Sequence, residues 1–169
     1  MGVNIIPREE WGSWDPWSRS PRHPPADTVL WSYTETDACT TIFQCRDYMQ
    51  QIQRQHIRLH KLEDVPYNFV VGGDGNVYEG RGWLLSPQLG SEEERHKGTN
   101  LYIGISGRPT TSIDGDGRSE ALDDLIRFGV NYKLITEDFI KVNLPKFTPK
   151  NNDSEMGRSI KFHLDDMLS

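Results

Sequence analysis

PYNFVVGGDGNVYEGRGW, residues 66–83, is the stretch whose reading decides the fold. Phe69-Val70-Val71 has the aromatic and β-branched character of a buried strand. Gly72-Gly73-Asp74-Gly75-Asn76 is too glycine-rich to continue that strand and consists of the residues tight turns use. Val77-Tyr78 resumes strand chemistry, and Gly80-Arg81-Gly82-Trp83 closes the unit. The stretch reads as a β-hairpin inside an α/β domain.

Upstream, Thr28–Tyr33 (TVLWSY) reads as a buried strand. From Thr40 to about Arg58, the apolar residues Ile42, Cys45, Met49 and Ile52 recur at helical spacing. The opposite stripe, Asp47, Gln51, Arg54 and Arg58, is polar, so this segment is an amphipathic helix with one face on a sheet. Downstream, Leu101–Ile105 and Phe139–Val142 read as strands. Ser119–Lys133 repeats the helical pattern with Leu122, Leu125, Ile126 and Val130. Ser154–Leu168 does so again with Ile160, Leu164, Met167 and Leu168, and Ser154 suits an N-cap. Residues 13–27 hold Trp14, Trp17, Pro16, Pro21, Pro24 and Pro25, and are expected to wrap over the surface without regular structure. The sum is an α/β fold, a central mixed β-sheet flanked by three helices. The 169 residues suit a single domain over 1–169.

The net charge is −6 and the pI about 5.3. An acidic chain without a basic stripe argues against nucleic acid and against anionic membrane as direct partners. No apolar run reaches the length that spans a bilayer. Met1-Gly2 leads straight into domain-like sequence with no secretory signal, which fits a fragment of something longer, such as an ectodomain. On spacing alone, Cys39 and Cys45 are either two buried thiols or a short bridge. Asn152-Asp153-Ser154 is a sequon that makes Asn152 a candidate glycosylation site in an extracellular setting.

The core motif at 66–83 closely resembles that of peptidoglycan recognition proteins, relatives of zinc-dependent N-acetylmuramoyl-L-alanine amidases. IIPREEWGSW, with its Arg8-x-x-Trp11-Gly12, is similar to the family's opening pattern. Cys39 and Cys45, IGIS at 103–106 and the ITEDFIKV segment follow in the family's order. The resemblance covers nearly the whole chain. It implies the amidase-like fold and a short disulfide between Cys39 and Cys45, which for so small a ring stabilises by roughly 2 kcal/mol. An oxidised pair in turn implies an extracellular or secretory location.

The resemblance also implies where chemistry belongs. Active relatives hold zinc with two histidines and one cysteine, leaving a fourth position open for water. The first histidine belongs in a pattern like I-I-H-H-T, where this chain has Leu30-Trp31-Ser32-Tyr33-Thr34, putting Ser32 at the ligand position. The second belongs in a pattern like K-L-V-G-H-R, where Lys141-Val142-Asn143-Leu144 puts Leu144 there. The cysteine belongs in a segment like T-E-C-P-G, matched by Asp153-Ser154-Glu155-Met156-Gly157, which puts Glu155 there. No cysteine follows Cys45. The expectation is no zinc, no cofactor and no catalysis. Tyr67 matches a tyrosine that assists catalysis in active relatives, and is read here as a core residue with its hydroxyl satisfied.

Two further clusters hold residues of metal-binding type. His56 and His60 are four apart, a spacing that can put two imidazoles on one helix face, but there is no helical HExxH and no evident third ligand, so they read as a helix-end histidine pair and not as a metal site. Asp114-Gly115-Asp116-Gly117 lacks the ligand ladder of a calcium loop and reads as a polar turn.

Family members without zinc still bind muropeptides in the same groove. Positions that the resemblance assigns to that groove hold Lys61 and Leu62, Leu89 in place of a histidine, and Asn100 in place of an arginine that pairs with a stem carboxylate. The charge run 91–99 (SEEERHKGT) is either a solvated loop or a reshaped groove wall. The resemblance is to insect immune receptor ectodomains of the PGRP-LC type. It implies a non-catalytic co-receptor that lacks a normal docking groove. Its partner is another domain of the family that carries the muropeptide, so the peptidoglycan fragment is sensed indirectly and this domain makes no direct membrane contact. The candidate contact is the stripe Asp47, Gln51, Arg54 and Arg58. The alternative is a module that binds muropeptide directly through a remodelled groove.

Overall fold

The computed structural model describes residues 2–15, 20–89, 99–109 and 117–145. Six strands form one mixed sheet: β1 (Ile5–Ile6), β2 (Ala26–Tyr33), β3 (Phe69–Val71), β4 (Val77–Glu79), β5 (Asn100–Ile105) and β6 (Ile135–Asn143). Their spatial order is β1-β4-β3-β5-β2-β6. The β3–β4 hairpin is antiparallel, and every other neighbouring pair is parallel. Three helices flank the sheet among the described residues: α1 (Arg8–Trp11), α2 (Ile42–Arg58) and α3 (Arg118–Asn131). The expected helix 154–168 lies outside the described residues, as do Asn152 and Glu155.

Strand alternation divides the core into two. Leu30, Val70, Tyr78 and Tyr102 point to the face covered by α1 and α2, where they meet Trp11, Cys45, Met49 and Ile52. Val29, Phe69, Val71, Leu101 and Ile103 point to the other face, where they meet Leu122, Leu125 and Ile126 of α3. Each helix thus buries one apolar stripe and leaves the other side to solvent.

Thr41 caps α2, its hydroxyl accepting from the Gln44 N–H at 3.1 Å. Cys39 and Cys45 are bridged, with Cα atoms 5.0 Å apart. The bridge seats the start of α2 against the hairpin turn. A Cβ on Gly73 would lie 2.2 Å from the Cys39 carbonyl oxygen, so only glycine lets the two backbones approach.

The N-terminal motif has a comparable reason. Arg8–Trp11 is one helical turn, ended by Gly12 in the left-handed region at φ 78°. Trp11 is fully buried and donates its indole N–H to the Glu79 carbonyl at 2.8 Å. Arg8 pairs with Asp64 at 2.8 Å and donates to the Gly80 and Trp14 carbonyls. One turn of helix therefore ties β4, α2 and the loop before β3.

Several boundaries differ from the sequence reading. Ile42 is not core: it is 37% exposed, because the cap at Thr41 leaves the first turn of α2 projecting past the sheet. Ala26 and Asp27 are strand, because their N–H groups find the Leu134 and Thr99 carbonyls. β6 begins at Ile135, four residues before the expected Phe139, and its register against β2 shifts between Ala26 and Thr28.

Reducing the bridge is expected to lower unfolding free energy by about 2 kcal/mol in urea titration, since it releases a short loop in the unfolded chain. A thiol assay on the native, unreduced protein should find no free cysteine. Gly73→Ala is expected to cost about 1–3 kcal/mol in the same titration, because backbone rather than a flexible side chain blocks the new methyl.

Candidate functional site

Ser32 lies near the end of β2 on the α2 face and is fully buried. Its hydroxyl is 2.7 Å from the Tyr102 hydroxyl of β5. Leu144 follows β6 and is fastened beside it, its N–H donating to the Trp31 carbonyl at 2.7 Å. The two residues at implied zinc positions are thus neighbours across the β2–β6 pair, and the fold brings them together. Their chemistry does not suit zinc: one is a neutral hydroxyl already hydrogen-bonded, and the other is apolar and packs on the core. The third position, Glu155, lies outside the described residues.

Tyr67 fills the space beneath. It is 2% exposed, and its ring centroid lies 4.8 Å from that of Tyr102. Gly104 makes the room, since a Cβ there would meet the Tyr67 ring at 2.9 Å. Burial holds the Tyr67 phenol well above its ordinary range, reinforced by Tyr102, with the Ser32 hydroxyl pulling the other way. Burial likewise pushes Tyr102 up to about 12. Both phenols are neutral hydrogen-bonding core groups at physiological pH.

Leu62 and Leu89 belong to the same apolar cluster as Tyr67 and Leu144. Lys61 is exposed and sits in the left-handed region at φ 58°. Side chains assigned by resemblance to the zinc site and to the groove wall therefore merge into one packed patch. Of the charge run 91–99, only Thr99 lies within the described residues, and Asp114 to Asp116 lie outside them.

His56 and His60 come together with ring centroids 5.3 Å apart, and both are buried. His56 Nδ1 bonds the Ile52 carbonyl at 2.7 Å, as a neutral imidazole donor does. Its ring edge faces Tyr67 at 6.1 Å. Burial lowers its pKa to about 3, with His60 and Arg81 adding to the shift and the Ile52 bond opposing it.

The stripe Asp47, Gln51, Arg54 and Arg58 runs along the outer side of α2. It is not uniformly free: the Arg54 and Arg58 guanidinium groups each stand 5.2 Å from the Trp14 ring. The Trp14 peptide is held in turn by buried Gln53, which accepts from its N–H at 2.8 Å and donates to its carbonyl at 3.0 Å. Phe43, at the same end of α2 as the bridge, is 74% exposed.

Sequence reasoning missed Asn68. It is fully buried, donates to the Gly82 and Leu85 carbonyls and accepts from the Tyr102 N–H, all at 2.8 Å. It locks the 80–85 loop to β5. Its only signal was an asparagine directly before a strand, which ordinarily marks a turn.

This arrangement is that of an α/β protein of the amidase-like fold. No family model matches the chain. A peptidoglycan-recognition protein of Drosophila melanogaster is 30% identical over 139 residues, covering 80% of this chain and 72% of that protein. The crystal structure of human PGRP-IBETAC in complex with glycosamyl muramyl pentapeptide superposes with a TM-score of 0.75 at 28% identity, covering 83% of each chain. The ectodomain complex of peptidoglycan recognition proteins LCa and LCx with bound tracheal cytotoxin gives a TM-score of 0.77 at 27% identity, over 83% of this chain and 84% of that one. The chain belongs to the peptidoglycan recognition protein family.

His56 makes the fold acid-sensitive in a defined window. Its folded pKa lies below the ordinary 6.5, so the unfolded chain binds the extra proton. Stability is therefore full above about pH 6.5 and is lost as pH falls toward about 3. His56→Gln is expected to flatten that slope relative to the parent when urea midpoints are compared between about pH 7 and about pH 4.5. Equal slopes in parent and variant would show that carboxylates alone carry the acid response.

Proposed function

We propose that this chain is a non-catalytic recognition domain of innate immunity that senses peptidoglycan fragments by pairing with a muropeptide-bearing sister domain. The observation that carries the reading is the pair Ser32 and Leu144: a hydroxyl committed to Tyr102 beside a leucine committed to the core. Neither can hold the ion that would activate water, so hydrolysis of the stem amide has no catalyst at this place. The groove positions Leu62 and Leu89 are spent on the same packing.

Recognition then falls to the outer surface. The α2 stripe with Asp47, Gln51, Arg54 and Arg58 is the proposed contact. Trp14 under two guanidiniums is a rigid, amphipathic centre of the kind that dominates protein interfaces. Tracheal cytotoxin bound to an ectodomain complex of two structural relatives supports the pairing mode. The domain is read as a single amidase-like unit, 1–169, working outside the cell with its Cys39–Cys45 bridge oxidised and Asn152 as a glycosylation site.

A second reading, direct muropeptide binding through a remodelled groove, is favoured by a cavity of about 490 Å³ that reaches Leu89 and Asn100. Titrating monomeric muropeptide separates the two. The isolated domain is expected to give no saturable response at micromolar muropeptide, and to enter a complex once a groove-bearing relative is added. Saturation by the isolated domain would overturn the pairing reading in favour of the second. Arg54→Glu with Arg58→Glu is expected to weaken the complex at least about tenfold in analytical ultracentrifugation, by reversing charge at its proposed centre. Stoichiometric zinc together with stem-peptide release would refute the non-catalytic assignment.

A further inference from the structure

The outward stripe of α2 is complementary to itself. Phe43, Asp47, Gln51, Arg54 and Arg58 are all exposed. The helical repeat places them within about 80° of one another around the axis, so they form one narrow line. An aromatic and an acid occupy its first half, and two cations its second. Reversed, the line matches itself. With a two-fold axis between positions 50 and 51, Asp47 of one copy meets Arg54 of the other, and Phe43 meets Arg58. A two-fold contact repeats every pair, so each of these occurs twice.

The charged groups are available for such a contact. Among the described residues, none of Asp47, Arg54 and Arg58 has an ion-pair partner in its own chain. The two guanidiniums each stand 5.2 Å from the Trp14 ring, and Gln53 fixes the Trp14 peptide. Side chains already held in this way lose little freedom when an acid engages them. At the other end of the stripe Phe43 is 74% exposed, a large apolar surface. Beside it lies a cavity of about 380 Å³ whose wall includes Glu9, Glu10 and Asp47. Arg46 also lines it, with its Nε donating to the Glu10 carbonyl at 2.7 Å. One end of the face is thus an acidic recess with an aromatic wall, and the other a basic ridge built on an aromatic.

We infer that α2 docks antiparallel on α2 of a second copy of this chain, with Asp47–Arg54 pairs flanking the axis and Arg58 over Phe43 at each end. The Trp14 ridge of each copy then meets the acidic recess of the other. A parallel arrangement would set the arginines of one copy against those of the next, a costly juxtaposition. An unrelated acidic protein would satisfy the cations but leave Phe43 and the recess unmatched, whereas a second copy matches both ends. The contact is confined to one helix and the Trp14 segment, below the ~1,200 Å² of a standard interface, so it is reversible, with a Kd on the order of 100 µM. It uses the face proposed above for the sister domain but requires neither that domain nor muropeptide. Where both partners are present they compete for α2.

Sedimentation velocity of the whole chain between about 5 µM and about 1 mM, a range that brackets this affinity, tests the inference. The mean mass is expected to rise with concentration toward that of two chains, and the amide NMR signals of Phe43, Asp47 and Gln51 to move over the same range. Asp47→Arg and Arg54→Asp are each expected to weaken self-pairing at least about tenfold, because each sets like charges opposite one another. Mixing the two variants should restore pairing, since every swapped position then faces its opposite charge. A chain that stays monomeric to the top of the range overturns the inference. Self-pairing that neither variant weakens places the contact on another surface and overturns it too. Weakening by each variant without recovery in the mixture overturns the antiparallel register. Should a variant fail to fold, the parent decides alone, because signals that move elsewhere and not on α2 overturn the assignment. Muropeptide-dependent pairing with a sister domain is read at micromolar concentrations, where this chain is monomeric, so either result can fail without the other.

Discussion

Everything on the α2 side of the sheet depends on how closely the hairpin turn and the bridge loop approach. Gly73 leaves room for the Cys39 carbonyl oxygen at a place where any side chain would sit at 2.2 Å. The same turn brings Gly72 against the Cys45 sulfur, where a Cβ would lie at 3.0 Å. The disulfide, the cap at Thr41 and the glycine pair therefore form one joint, which sets the axis of α2 over β3 and β4. From that axis follow the burial of Met49 and Ile52 and the seat of His56 beside Tyr67. A glycine-rich turn that looks like flexibility is, in the folded chain, a steric requirement.

The packing beneath Ser32 shows how the frame of a site is held independently of the side chains at its strand ends. Gly104 and Tyr67 fit each other, and the Asn68 side chain holds the Tyr102 N–H in register. Those contacts support the sheet whatever stands at the strand ends. Position 32 can then carry a hydroxyl that satisfies Tyr102, and position 144 can carry a leucine, with no loss to the fold. The frame is stabilised by burial and hydrogen bonds, neither of which requires an ion.

Much of this was legible in the sequence. The hairpin, α2 and α3 announced themselves through glycine clustering and helical periodicity, and both signals reflect local physics. The Cys39–Cys45 bridge came from family resemblance, because spacing alone left two thiols open. Ile42 misled because periodicity sees a stripe but not where the sheet beneath it ends. β1, with two residues, and α1, with four, were too short for any periodic signal, although Arg8-x-x-Trp11-Gly12 marked the place. Residues such as Asn68 and Arg22 were invisible for another reason. Their roles depend on partners 14 to 61 positions away in the chain, which no local pattern encodes.

The cations of this fold show what a compensated buried charge looks like. Arg8 is bound to Asp64 at 2.8 Å, and Asp64 is itself held by the Gln53 amide at 3.0 Å and the Val65 N–H at 2.8 Å. Burial still lowers the Arg81 pKa, with Asp64 and Glu63 opposing the shift, and its guanidinium donates to three oxygens directly. A net charge of −6 means acids are not scarce in this chain. Arg22, by contrast, has no acid acting on it among the described residues, and its Nη2 donates to the Trp83 carbonyl. Truncating such a group to leucine removes a desolvation cost as well as one bond to the Trp83 carbonyl, so the two effects oppose each other in stability.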